Sequence, residues 1–456
     1  MTWTDPFRSW RSPATVSAAF ARAAGVLCLT ACVATGGGKS ETTPIAEGQI
    51  VEAGDGSVSP GAVDVTPEGT DSALYVEPLP LRPIPADIDI GERPSLETDE
   101  AGLWMQMDRA ERQLATSGKR IRDPELESYI TGIVCDLADQ YCGDVRVYLV
   151  RTPIFNATMA PNGVMQVWSG LLLRAQDEAQ LAAVLGHEIA HYLRRHSIKR
   201  FRDIRSKLTG LAVFRIAAAV FGVAPVGDVA ALGMMGSIQS YSRDHERESD
   251  FMGQNLMVES GYDPMAASEL WAQLNRERAR MEEIDPDKKS PRSVFFASHP
   301  PSEEREENLR LRAEAFAQSG VEGRRGREAY IAALGEWREV FLRDELELGE
   351  YAQSEALLEI LVDSRPEDGA LRYFQGELYR ARSQDGDADR ALAAYAEAAE
   401  LGYTEAGLYR GWGLTALKNG DNAAGVAALK TYLDLAPEAP DAGMIRFMIG
   451  SADATS

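Results

Sequence analysis

The stretch DEAQLAAVLGHEIAHYLRRHSIK, from Asp177 to Lys199, decides how this chain is read. Leu181, Val184, Leu185, Ile189 and Tyr192 recur at helical intervals, so an amphipathic helix is expected here. Asp177 is placed to cap it, and Gln180 stands three residues on, at capping-box spacing. Arg194, Arg195 and Lys199 close it, complementing the negative end of the helix dipole. On such a helix His187 and His191 project from one face. Two neutral imidazoles one turn apart can share a single Zn²⁺. Glu188 then sits beside the metal, where it can take a proton from water. That constellation points to hydrolysis of a peptide bond. The plain alternative is two surface histidines on an ordinary helix, but the chain has only five histidines in 456 residues, so a chance His-Glu-x-x-His is rare.

A catalytic zinc usually takes three protein ligands and keeps one position open. The third is expected in the run from Ser242 to Asp250. On a helix Glu246 and Asp250 share a face. Glu246 would bind the metal while Asp250 holds a ligand histidine through its second nitrogen. Glu248 points elsewhere, and His196 and His245 receive no role. A solvated charged helix is the bland reading of the same residues.

His187 to His191, followed by a later helix with Glu246 and Asp250, resembles the zinc metallopeptidase family of the CAAX prenyl proteases and HtpX-like membrane proteases. That family's later motif reads S-R-x-x-E-x-x-A-D, and here Ser249 stands in place of Ala. Upstream, Asn156, Ala157, Gly163 and the run from Ser169 to Leu172 also match. The resemblance implies that this region forms an edge strand beside the zinc, where an extended substrate adds as a further strand, with Asn156 and Ala157 as substrate-binding residues. Ser298-His299-Pro300 followed by Arg305 matches a segment of the soluble periplasmic, BepA-like members. His299 then has two open roles. It steadies the oxyanion as a hydrogen-bond donor, or it binds zinc as a fourth ligand and keeps the enzyme latent.

The N-terminus reads as an export signal rather than fold. Arg8, Arg11 and Arg22 precede a short apolar run from Ala23 to Ala31. The run ends Leu29-Thr30-Ala31-Cys32, which resembles a bacterial lipobox with Cys32 as the lipidated residue. Val33 follows, and by resemblance the absence of Asp there favours the outer membrane. Residues 33–96 are rich in Gly, Pro, Ser, Thr, Asp and Glu, and read as a disordered acidic linker with a reach of roughly 45 Å. The remaining cysteines, Cys135 and Cys142, either pair across a short loop in an oxidising periplasm or stay as small hydrophobes.

Seventy acidic against 47 basic residues give a net charge of −23, which argues against nucleic acid as a partner. Leu103 to Leu114 and Pro124 to Ala138 read as helices. The runs 145–150 and 163–168 read as strands, and a Pro161-Asn162-Gly163 turn suggests a small antiparallel sheet. Leu208 to Gln239 is strongly apolar. Arg215, Asp228, Gly222, Pro225 and Gly227 interrupt it, so buried or site-covering helices fit better than a membrane span. From Gly349 onward, Gly and Pro recur with a period of roughly 34 residues. Gly376 and Gly413 stand where helices need close packing, as in degenerate tetratricopeptide units.

The expected fold is α+β. A mostly helical gluzincin-type metalloprotease domain with a small sheet (97–318) precedes an all-α tetratricopeptide-like solenoid (327–450), after a lipoprotein signal peptide (1–32) and the linker. The expected protein is a periplasmic enzyme, lipid-anchored to the outer membrane, with one zinc held by His187, His191 and Glu246. Glu188 and His299 are its catalytic residues. The resemblance implies misfolded or stalled envelope proteins as substrates, with outer-membrane assembly machinery as a partner through the repeats. The rival reading is a periplasmic chaperone or scaffold with a latent metal site.

Overall fold

The structure, a computed structural model, describes residues 85–207, 241–286, 299 and 303–453. The leader, Cys32, the linker up to residue 84, the apolar stretch Leu208–Gln239, and Ser298 and Pro300 lie outside the described residues.

Helix α1 (Asp99–Thr116) and helix α2 (Pro124–Ala138) cover the two expected helices. Asp123 caps α2 by accepting from the backbone N–H of Glu125 and Leu126, and Pro124 at the first turn gives up no bond. Leu126, Ile130, Ile133, Val134 and Leu137 form its buried face. Cys135 and Cys142 are joined by a disulfide with their Cα atoms 4.7 Å apart.

Strands β1 (Arg146–Val150), β2 (Ala157–Met159) and β3 (Val164–Trp168) form a sheet of order β1-β3-β2. The Pro161-Asn162-Gly163 turn closes an antiparallel β2–β3 hairpin, whose first strand is Ala157–Met159 rather than the expected run 145–150. Gly163 has φ +84°, and a Cβ there would stand 2.0 Å from the Asp144 carbonyl oxygen, so the turn requires glycine. The sheet is mixed rather than antiparallel, because β1 joins the other edge of β3 in parallel, Arg146 opposite Val164 through Val150 opposite Trp168. That leaves β2 as an edge strand. Residues 169–172, expected to continue the edge, instead open the short buried helix α3 (Ser169–Arg174).

Helix α4 (Glu178–Leu193) carries the His-Glu-x-x-His residues and starts as expected, with Asp177 Oδ1 accepting from Gln180 N at 2.9 Å. It stops earlier than its charge pattern implied. Arg194 caps it, Arg195 takes a left-handed φ of +51°, and a second helix, α5 (His196–Lys207), begins at once. A non-glycine residue in that region is uncommon. Arg195 is tied down by Glu92 at 2.6 Å and by Glu100.

Helix α6 (Arg243–Glu259) packs along α4, followed by α7 (Met265–Ile284) and α8 (Glu303–Gln318). The remaining elements are α9 (Arg327–Leu334), α10 (Trp337–Glu347), α11 (Tyr351–Ser364), α12 (Gly369–Arg382), α13 (Asp387–Glu400), α14 (Ala406–Lys418), α15 (Asn422–Leu435) and α16 (Ala442–Asp453). The α12–α13 and α14–α15 pairs pack as helical hairpins. A Cβ at Gly376 would stand 2.4 Å from the Tyr395 ring, and one at Gly413 would stand 2.5 Å from Leu429, so both glycines permit the close approach their spacing implied.

One buried apolar cluster extends from Ile88 through α2, the sheet, α4, α6 and α7 to Leu378 in α12. Polar bonds follow the same path. Tyr330 Oη donates to the Leu172 carbonyl at 2.7 Å, and Trp337 Nε1 donates to Asp123 at 2.7 Å. Arg174, almost fully buried, is held between Glu277 of α7 and Glu345 of α10 at 2.7 and 3.2 Å. No helix among the described residues is long and apolar enough to cross a membrane.

Candidate metal centre

Two glycines set the distance between α4 and α6. A Cβ at Gly186 would meet the Gly253 carbonyl oxygen at 3.1 Å, and one at Gly253 would meet the His187 backbone nitrogen at 2.8 Å. With hydrogen atoms there instead, the helix backbones nearly touch. Side chains one and two turns away along both helices therefore converge.

What converges is His187, His191, Glu246 and His299, all four buried, each offering a ligand atom within 4.8 Å of the others. His187 Nε2 lies 3.0 Å from His191 Nε2 and 3.1 Å from His299 Nδ1. Glu246 places its two oxygens 3.0 and 3.1 Å from His299 Nδ1, 3.4 Å from His191 Nε2 and 3.6 Å from His187 Nε2. Tetrahedral zinc with bonds of 2.0–2.1 Å separates its ligand atoms by about 3.3 Å. The observed spacings bracket that value. Three imidazole nitrogens and a carboxylate, crowded together away from water, direct more lone pairs at one point than their own protons can satisfy. A divalent cation fits that set.

The surrounding side chains hold the four in place. Asp250 Oδ1 lies 2.9 Å from His187 Nδ1. Arg305, buried, grips both Asp250 oxygens at 2.6 and 2.7 Å and Glu246 at 2.9 Å, with its guanidinium 4.2 Å over the Trp271 ring. Tyr241 stacks on His191 at 4.1 Å. Ser242 caps α6 by accepting from His245 N, which fixes the turn that presents Glu246.

Glu188 sits next to the cluster, with Oε1 3.3 Å from His299 Nε2. Burial alone would raise its carboxyl, but the attraction of His299, then of His191 and His187, outweighs that and holds it below the ordinary range. The carboxylate is therefore ionised and able to accept a proton. Burial likewise opposes ionisation of Glu246, and His299 and Arg305 more than offset it.

Residues 120–313 match peptidase family M48. The chain carries an M48 peptidase domain. Helices α4 and α6 and His299 all fall inside the matched segment. A putative beta-barrel assembly-enhancing protease of Vibrio cholerae serotype O1 is 28% identical over 216 residues, 45% of this chain and 43% of that protein. The beta-barrel assembly-enhancing protease of Escherichia coli strain K12 is 28% identical over 222 residues, 46% and 44% of the two chains. The mitochondrial metalloendopeptidase OMA1 of Schizosaccharomyces pombe is 31% identical over 160 residues, 35% and 44%. The match thus spans less than half the length of these relatives.

Asn156 and Ala157 lie where β2 begins, both buried, and β2 packs on α4. The Asn156 carbonyl accepts from Trp168 N at 3.1 Å, so the edge of β3 there is already paired. The four clustered residues, His187, His191, Glu246 and His299, are all ones the sequence singles out. The sequence gives no such sign of Tyr241, nor of His196 and Glu248, which meet at 2.8 Å behind His191. A histidine five residues after a ligand lies on a different face of an unbroken helix, and the break at Arg195 has no glycine to announce it.

Proposed function

We propose that this chain is a zinc-dependent endopeptidase of the bacterial cell envelope. Its substrates on this reading are misfolded or stalled envelope proteins, outer-membrane proteins among them. One observation carries the reading: four buried residues whose donor atoms converge within 4.8 Å of one another, with the Glu188 carboxylate beside them. His187, His191 and Glu246 would hold one Zn²⁺. When bound, the metal supplies a Lewis acid that polarises the scissile carbonyl and acidifies water. Glu188 takes the proton at Oε1 and returns it to the leaving amine. Asp250 and Arg305 keep His187 and Glu246 oriented.

His299 has its Nδ1 in the fourth corner of the cluster and its Nε2 against Glu188. That placement favours a resting role over oxyanion stabilisation. In this state His299 fills the position a substrate carbonyl needs and also engages the base. The edge strand β2 beside α4 supports docking of an extended peptide near Asn156 and Ala157. The leader and Cys32, with Val33 after it, support a lipid anchor in the outer membrane. The names of the Vibrio and Escherichia relatives favour beta-barrel proteins as clients and their assembly machinery as the partner of the helical hairpins. Those hairpins are read as degenerate tetratricopeptide units in a domain over 327–450, following the protease domain over 97–318.

The test is Glu188→Gln. The variant keeps one zinc per chain and loses cleavage of an unfolded protein by about 10²–10⁴-fold. Cleavage at the wild-type rate would refute the mechanism. Full complementation of a deletion strain by the same variant would favour the scaffold reading.

A further inference from the structure

We propose that His196 and Glu248 form an outer pair that fixes the ring of His191 in its metal-facing tautomer. The inference rests on the metal-centre reading above.

His191 turns Nε2 toward the cluster, so it must carry its proton on Nδ1 to present a lone pair there. That Nδ1 lies 2.9 Å from Nδ1 of His196. With His191 donating, His196 Nδ1 is the acceptor, and the His196 proton is on Nε2. Nε2 lies 2.8 Å from Glu248 Oε2, a carboxylate that can only accept. Each assignment forces the next. The chain of bonds leads from the metal-facing nitrogen of His191 to an anion two rings away.

The pair is held from every side. His196 is fully buried. Ser249 Oγ lies 3.3 Å from its Nδ1, and His245 stacks on it at 4.2 Å. Glu248 is anchored by Arg194, whose Nε donates to Oε1 at 2.8 Å. Arg194 in turn is held by Asp87.

The backbone is shaped to allow this. On an unbroken helix residue 196 would point about 140° away from residue 191. The left-handed turn at Arg195 folds His196 back against the ring it would otherwise miss. His187 reaches a carboxylate, Asp250, directly. Among the described residues an imidazole, not a carboxylate, stands at that position for His191 and carries the contact to Glu248. A hydrogen-bonded partner behind a ligand histidine typically contributes 10–100-fold to metal affinity.

The experiment is zinc competition against a chromophoric chelator on the purified full chain, with melting of the metal-free proteins as a folding control. His196→Leu and Glu248→Ala are expected to weaken zinc 10–100-fold. His196→Gln presents an amide oxygen to His191 and an amide N–H to Glu248, and should stay within about threefold of wild type on the same scale. Glu248 is partly exposed, so its alanine variant should fold even if the leucine variant does not. Wild-type affinity in both His196→Leu and Glu248→Ala overturns the pair while leaving the metal centre intact. So does a folded Gln variant as weak as Leu. A wild-type chain that takes up no zinc overturns both readings.

Discussion

At the scale of single residues, the metal-free site carries an internal conflict of charge. Burial would lower His299, but Glu246 and then Glu188 outweigh it and push it up to about 9. Burial lowers His191 to about 4, opposed by its bond to Glu246. The signs are opposite. The raised His299 contributes stability that is complete below the ordinary histidine value and is lost as pH rises toward 9. The lowered His191 stays neutral while the unfolded chain takes up a proton, so stability is lost as pH falls from about 6.5 toward 4. Chelator-treated protein is therefore expected to melt highest near neutral pH and to weaken on both sides. His299→Ala should flatten the alkaline limb, and a wild-type melting profile that is already flat above pH 7 would contradict this. With zinc restored, the same variant should cleave an unfolded protein several-fold faster than wild type if His299 occupies the open position. A collapse of the rate would point to oxyanion stabilisation instead. His187 and His191 were legible because helical periodicity puts them on one face with Glu188 adjoining, whereas Glu246 shares a face with Asp250 by the same rule but was singled out by the family resemblance. The contacts of His196 and Tyr241 depend on how separate segments meet, which one segment's spacing does not encode.

At the scale of elements, the two ligand helices depend on what is missing between them. Gly253→Ala would place a methyl group 2.8 Å from a backbone nitrogen, which cannot rotate aside. The expected result is a loss of about 1–3 kcal/mol in chemical unfolding. Zinc affinity should fall by at least tenfold, because Glu246 moves with α6. Unchanged zinc affinity would show that the helices adjust without disturbing the ligands. The start of α4 was readable from Asp177 and Gln180, but its end was not. Charges at Arg194, Arg195 and Lys199 look like one helix terminus, whereas they straddle a break between two helices. The sheet was half readable for a similar reason. The Pro161-Asn162-Gly163 turn specifies the β2–β3 hairpin, while the parallel β1–β3 pairing is non-local and leaves no turn signal.

At the scale of the whole molecule, Arg174 joins three parts of the chain. It sits on α3, immediately after β3, and binds Glu277 of α7 and Glu345 of α10 in a site only 3% exposed at its own side chain. Removing it strands two buried carboxylates, and Glu277 is already pushed up by burial. Arg174→Leu is expected to cost about 3–5 kcal/mol in urea unfolding. It should do so equally whether the transition is followed near the ligand helices or near α10. Two separate transitions in the wild-type protein would show that the regions are not one cooperative unit. The helical tail was visible in sequence from its recurring Gly and Pro. Its attachment was not, because the residues that make it, such as Tyr330 and Trp337, look like ordinary core positions until their partners are known.

The uninterrupted core from Ile88 to Leu378 has a consequence for how such proteins diversify. A chain cut near residue 318 would strip the wall that covers α3 and α7, and a cut after Arg382 would split the α12–α13 hairpin across Gly376 and Tyr395. Tails exchanged between relatives should therefore keep α9 to α13 with the ligand helices, and a graft beyond Gly402 must still match α13, because Leu408 is buried with Ala391, Tyr395 and Ala398. The helices nearest the ligand helices are inherited with them, and freedom to vary is left to α14, α15 and α16.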